Sequence, residues 1–84
     1  MTYAVEILRA AQKELAKIDR HAQSRIIASI RGLATDPRPT GCKKLSGRSA
    51  WRIRIGAYRV IYEIHDNLLV VLIVTIGNRG DVYR

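Results

Sequence analysis

Arg52 and Arg54, spaced two apart in Trp51-Arg52-Ile53-Arg54-Ile55, and Arg59, just beyond Gly56-Ala57, are the residues of this chain with the clearest capacity for chemistry. A guanidinium is a permanent cation whose fork of N–H donors matches the oxygens of a phosphate. The chemistry open to it is anion recognition and stabilisation of charge building up on phosphorus. Successive side chains on a strand point to opposite faces, so Arg52 and Arg54 share one face while Trp51, Ile53 and Ile55 share the other. A two-residue loop at Gly56-Ala57 predicts the partner register as well: Ile55 opposite Tyr58, Arg54 opposite Arg59 and Ile53 opposite Val60. Like charges placed directly opposite cost a few tenths of a kcal/mol up to ~1 kcal/mol unless an anion sits between them. Between Asp36 and Glu63 the chain carries seven Lys or Arg and no carboxylate, so no built-in counterion is close in sequence. A nucleic acid is the polyanion this pattern fits. A solvated arginine face is the plainer reading of the same residues.

The elements that must hold these arginines follow from periodicity. Tyr3-Ala4-Val5-Glu6-Ile7 alternates as a strand with Tyr3, Val5 and Ile7 inward. From about Leu8 to Ala34 the period becomes helical, with one stripe at Ala11, Leu15 and Ile18 and a second at Ile26, Ile30 and Leu33. The break at Asp19-Arg20-His21, with Asp19 as a helix cap, predicts a helix hairpin, and one long bent helix is the alternative. Asp36-Pro37-Arg38-Pro39-Thr40-Gly41 ends the helical region, because proline removes a donor and disfavours helix in the residue before it. A loop through Lys43, Lys44, Ser46, Gly47 and Arg48 is expected next. Two successive hairpins follow, the first closing at Gly56-Ala57 and the second at Asp66-Asn67, with a last strand over Leu68 to Ile76, a turn at Gly77 and a short strand or tail at 81–84. The expected architecture is α+β, with helices on one face of a mainly antiparallel meander sheet, as a single domain over residues 1–84.

Fifteen Lys+Arg against seven Asp+Glu give a formal charge of +8, which favours phosphate backbones as partners. A chain of 84 residues removes only about 60% of its unfolded surface from water, so modest stability is expected without a partner. One cysteine, Cys42, allows no disulfide framework, and a cytoplasmic location is the default. The run Leu68 to Ile76 is too short to span a bilayer as a helix, which needs about 20 apolar residues, so no membrane association is expected.

The runs Lys44-Leu45-Ser46-Gly47, Trp51 to Ile64, Ile76-Gly77-Asn78-Arg79 and Val82-Tyr83 resemble the RelE branch of the RelE/ParE toxin superfamily over nearly the whole chain. The resemblance implies the toxin of a type II toxin–antitoxin module: an endoribonuclease that enters the ribosomal A site and cleaves mRNA without a metal or other cofactor. A cognate antitoxin is the implied partner, in a hetero-oligomeric complex that binds its own operator DNA. Position by position, Arg52 and Arg54 stand where the RelE branch has two catalytic lysines. Arg59 matches the arginine of the Gly-Tyr-Arg segment, Arg79 the arginine after the Ile-Gly turn, and Tyr83 a tyrosine near the C-terminus. The gap from Arg79 to Tyr83 is shorter than in the RelE branch. Asn78 stands where many relatives have His, and Ala57 where they have an acid.

The implied reaction is attack of a ribose 2′-hydroxyl on the adjacent phosphorus, giving a 2′,3′-cyclic phosphate and a 5′-hydroxyl. Arg52, Arg54, Arg59 and Arg79 would stabilise the phosphorane, each such donor being worth about 10²–10³ in rate. Arginine does not deprotonate in proteins, so none of them is the base. Tyr83 is the best remaining base, its phenolate favoured by cations nearby; an aromatic packed at the sheet end is the alternative. Lys43, Lys44 and Arg48 are expected to contact RNA backbone, which positions the substrate and steepens salt dependence. Trp51, Tyr58 and Tyr62 share the core parity. His21 and His65 read as exposed loop residues, Cys42 as a half-buried packing thiol, and Arg9, Lys13, Lys17, Arg20 and Arg25 as a solvated helix face. Two competing functions remain: a ParE-like toxin that poisons DNA gyrase without nuclease chemistry, and a nucleic-acid-binding relic that lost its base when arginine replaced lysine.

Overall fold

The computed structural model describes residues 2–78, as a helix pair packed on one face of a five-stranded sheet. The elements are β1 (Ala4–Ile7), α1 (Arg9–Ala16), α2 (Arg20–Gly32), β2 (Lys43–Lys44), β3 (Trp51–Ile55), β4 (Tyr58–His65) and β5 (Val70–Asn78). In space the strands run β1-β5-β4-β3-β2, with β1 parallel to β5 and every other pairing antiparallel. The sheet is therefore mixed. The helix pair returns the chain to the sheet at β2, which runs opposite to β1, and three successive antiparallel pairings then bring β5 alongside β1 in the same sense.

The helix hairpin forms where the apolar stripes change, and its corner is held by side chains. Leu8 is extended and its amide still donates to the Ile73 carbonyl at 3.0 Å, which delays α1 until Arg9. Gln12 Nε2 donates to the Ile7 carbonyl at 2.8 Å and satisfies the end of β1. At the far end Lys17 and Ile18 donate back to Glu14 and Leu15 in a tightened last turn, and Gln23 of α2 donates to the Leu15 carbonyl at 2.9 Å. Asp19 occupies the cap position of α2, but its side chain makes no capping hydrogen bond, contrary to the expected role. The corner is fixed by Gln23 instead.

One core lies between helices and sheet. Ala11, Ile26, Ile30 and Leu33 meet Ile53, Ile55, Val60, Tyr62, Val71, Ile73 and Ile76, with Trp51 and Tyr58 packed at its margin. Each large aliphatic side chain so buried contributes about 1.5–3 kcal/mol. The parity runs 53, 55 on β3 and 60, 62 on β4, but on β5 it shifts from 71, 73 to 76. A bulge causes this: Ile61 pairs with Thr75 while Tyr62 pairs with Ile73, leaving Val74 as the extra residue.

Four expectations are corrected. The second hairpin closes through four residues, 66–69, because His65 pairs with Val70 rather than reversing at Asp66-Asn67. Leu69 there takes a φ of 53°, and Leu68 is 66% exposed. Gly77 is not a turn but pairs with Arg59 inside β5. Lys43 and Lys44, expected in a loop, form the short edge strand β2. His21 lies in the first turn of α2 rather than in a loop, although it is exposed as expected.

Candidate nucleic-acid interface

The β3–β4 hairpin closes with the register its sequence requires. Arg54 pairs with Arg59, Ile53 with Val60 and Ile55 with Tyr58. Gly56 makes this turn possible: its φ of 60° lies where residues with a Cβ are strained. Because Ile53, Ile55 and Val60 face the helices, Arg52, Arg54 and Arg59 lie on the opposite face of the sheet. Lys43 joins them, since it is the cross-strand partner of Arg52 on β2. Four cations from three adjacent strands thus share one side.

Their depth differs from that of a solvated face. Arg54 is exposed, but Arg52 and Arg59 are only 7% and 8% accessible. Beside them Ile61, the cross-strand partner of Arg52, is 1% exposed. Arg52 Nε is a buried donor with no hydrogen-bond partner among the described residues, a state that costs about 1–3 kcal/mol when nothing accepts from it. Strand alternation reveals on which side a residue lies but not how deeply. A small hollow of about 40 Å³ lies between Arg54, Gly56, Ala57, Tyr58 and Arg59. It has room for little more than one water-sized group.

Not every cation of the carboxylate-free stretch belongs to this surface. Arg38 donates to both carboxylate oxygens of Asp66, at 3.3 and 2.9 Å, and its guanidinium lies 5.2 Å from the centroid of the Trp51 ring. The Tyr3 hydroxyl donates to the same carboxylate. Arg38 and Tyr3 together hold the Asp66 carboxyl below its usual range, and the bond to Asp66 raises Tyr3 above its own. Tyr62 donates to the Pro37 carbonyl at 2.8 Å from within the core, where burial pushes its hydroxyl far above the ordinary phenol range. These contacts pin the proline loop across the sheet and so position β2, which follows it.

Lys44 and Arg48, with Leu45, Ser46, Gly47 and Ser49, line a separate open hollow of about 510 Å³ on the β2–β3 connection. Lys44 pairs with Trp51 and lies on the opposite parity from Lys43, so the two lysines do not point to one face. Cys42 is half-buried against the core. His65 is paired with Glu63 at 3.0 Å. Arg79 and Tyr83 lie outside the described residues.

Arg25 is the cation that sequence reasoning left on a solvated helix face. Its Nη1 lies 3.6 Å from the point a Cβ on Gly56 would occupy, so α2 sends a guanidinium over the turn that carries Arg54 and Arg59. No local pattern signals this, because the approach depends on how α2 crosses β3.

The fold and much of the sequence are shared with known toxins. The chain is 28% identical over 88 residues to Toxin RelG of Mycobacterium tuberculosis, covering 100% of this chain and 99% of the relative. The crystal structure of the archaeal RelE–RelB complex from Pyrococcus horikoshii OT3 contains a chain 30% identical to this one, with a TM-score of 0.85 over 98% of this chain and 100% of the other. The toxin–antitoxin complex RelBE2 of Mycobacterium tuberculosis gives 25% identity and a TM-score of 0.84, covering 96% and 95%. A family model described as the ParE toxin of the type II toxin–antitoxin system, parDE, matches residues 5–83. With the strand, helix pair and arginine-bearing hairpin all in place, this chain belongs to the ParE toxin family of type II toxin–antitoxin systems, within the RelE/ParE superfamily.

Proposed function

We propose that this toxin is a ribosome-dependent endoribonuclease that cleaves mRNA in the ribosomal A site. The observation that carries the reading is the direct pairing of Arg54 with Arg59 next to Arg52, on the sheet face away from the helices. A phosphate between these guanidiniums converts their mutual repulsion into attraction.

The ribose 2′-oxygen attacks the neighbouring phosphorus, and the bond from phosphorus to the 5′-oxygen breaks. The products are a 2′,3′-cyclic phosphate and a 5′-hydroxyl, the hydroxyl formed when the leaving oxygen takes up a proton. Arg52, Arg54 and Arg59, with Arg79, spread the extra negative charge of the phosphorane over fixed cations. The 2′-hydroxyl proton goes to Tyr83 in its phenolate form, since arginine cannot serve as a base. Lys43 extends the cationic row at Arg52, and Lys44 and Arg48 hold flanking backbone phosphates. A cognate antitoxin, as in the solved RelE–RelB and RelBE2 complexes, silences the toxin by covering the arginine face or displacing an element beside it, and the complex binds its own operator DNA. A flexible acidic segment suits a surface of this charge.

The family match to ParE toxins favours one second reading, inhibition of DNA gyrase without cleavage. Parallel assays separate the two. New RNA ends on translating ribosomes with unaffected supercoiling support the nuclease, whereas a supercoiling defect with intact message supports the gyrase poison.

A further inference from the structure

Lys43 on β2 and Arg52 on β3 are direct cross-strand partners, on the same face of the sheet as the pair Arg54–Arg59. Like charges so placed weaken the pairing of two strands. β2 is only two residues long and lies at the edge of the sheet, so it has little other pairing to offset the repulsion. Among the described residues neither side chain has a hydrogen-bond or ion-pair partner.

The two cations differ in depth. Lys43 is exposed and carries its charge in water at little cost. Arg52 is more than nine-tenths buried, at 7% accessible, and its Nε is closed to solvent with no acceptor. A buried donor with neither water nor protein to accept from it is among the costlier states of a polar group. An apolar side chain of similar shape would fill the same place without that penalty. Position 52 thus holds a cation that stability alone disfavours, beside a second cation that cannot neutralise it. An oxyanion from outside satisfies both, since its oxygens accept from the Nε edge of the guanidinium and from the Lys43 ammonium.

Residues that share a face on a strand are about 6.6 Å apart, and Arg52 stands one such step from Arg54. Adjacent phosphates of an extended nucleic-acid strand are separated by a similar distance. We infer that Lys43 and Arg52 form a second phosphate subsite, which takes the backbone phosphate next to the one between Arg54 and Arg59. Binding draws the Arg52 guanidinium outward on its flexible stem and gives Nε its acceptor, so occupation of the subsite stabilises the fold. Lys43 fixes the path of the flanking nucleotide and takes no part in bond breaking. The inference rests on the nucleic-acid part of the nuclease reading and not on cleavage.

Tetra-deoxythymidylate is the probe, because it offers successive phosphates and lacks the attacking 2′-hydroxyl. It should raise the denaturant midpoint of the parent toxin, and its affinity should fall with salt. Lys43→Met should lower the slope of log affinity against log salt by about 0.7, the counterion release of one single-strand phosphate contact. Arg9→Met, the same change of charge on the exposed face of α1, should leave that slope unchanged. Arg52→Met should lose most of the stabilisation by the probe, while its midpoint without the probe is no lower than the parent's, because an unsatisfied donor has gone and the apolar stem remains. An unchanged slope in Lys43→Met, an equal drop in Arg9→Met, or no response of the parent to the probe overturns the subsite. A lower midpoint for free Arg52→Met does so too, by showing that Arg52 holds the sheet together. Transcripts left whole on ribosomes, with the expected Lys43 and Arg52 effects present, would instead overturn the nuclease and leave the subsite standing.

Discussion

Arg54 and Arg59 stand directly opposite each other across the β3–β4 hairpin, one exposed and the other 8% accessible. Like charges in that arrangement weaken a two-stranded pairing, yet the turn at Gly56 and the apolar pairs Ile53–Val60 and Ile55–Tyr58 hold them in register. Stability of the hairpin thus comes from one face, and the proposed anion affinity from the other.

That division makes Arg54 a clean probe. Arg54→Ala should lower RNA cleavage about 100-fold or more, since it removes one donor to the phosphorane. Because the side chain is exposed, the denaturant midpoint should correspond to a stability change within about 0.5 kcal/mol. A large loss of stability alongside the loss of cleavage would contradict the division of faces.

The Arg38–Asp66–Tyr3 clasp gives the fold a defined response to acid. Arg38 and Tyr3 lower the Asp66 pKa, so the folded chain binds that proton less readily than the unfolded chain. The clasp therefore stabilises fully above about pH 4, the ordinary range of the unfolded carboxyl, and the effect drains away as pH falls through the depressed folded value. Asp66→Asn should flatten this acid limb in denaturation curves taken from pH 2 to 7. Tyr3 moves in the other direction: its raised pKa keeps its contribution intact at neutral pH and loses it only in alkali.

Tyr62→Phe should destabilise the fold by about 1–3 kcal/mol despite preserving the ring. The Pro37 carbonyl loses its donor inside the structure, and an unsatisfied buried acceptor costs more than a hydrogen bond gains. Chemical denaturation of the two proteins measures it directly, and equal midpoints would show that water replaces the hydroxyl.

Tyr83→Phe separates proton transfer from binding. Removing the proposed general base should cut cleavage by about 10²–10⁴ while ribosome affinity stays near that of the parent. Equal losses in both would assign Tyr83 to binding or packing.

The hairpin that carries the arginines is legible because five alternating residues, the two-residue loop Gly56-Ala57 and the five residues from Tyr58 to Tyr62 specify register locally. The Asp66-Asn67 turn is not, since Leu69 adopts a left-handed conformation that no leucine advertises and the Val74 bulge shifts parity within an unbroken apolar run. Lys43-Lys44 shows no apolar alternation, and only pairing with Trp51 and Arg52 makes it a strand. The parallel contact of β1 with β5 joins residues more than sixty apart, beyond any local pattern. At the site, alternation predicts which face holds Arg52, Arg54 and Arg59, but neither the burial of Arg52 and Arg59 there nor the reach of Arg25 to Gly56, which depends on helix placement.

The central claim is that guanidiniums from β3 and β4 converge on one scissile phosphate, and the chemistry of RNA ends on purified translating ribosomes tests it most directly. The account predicts new upstream ends carrying 2′,3′-cyclic phosphates and downstream ends carrying 5′-hydroxyls, produced by the wild-type toxin and lost with Arg54→Ala. Message left whole by the folded wild-type protein would contradict it.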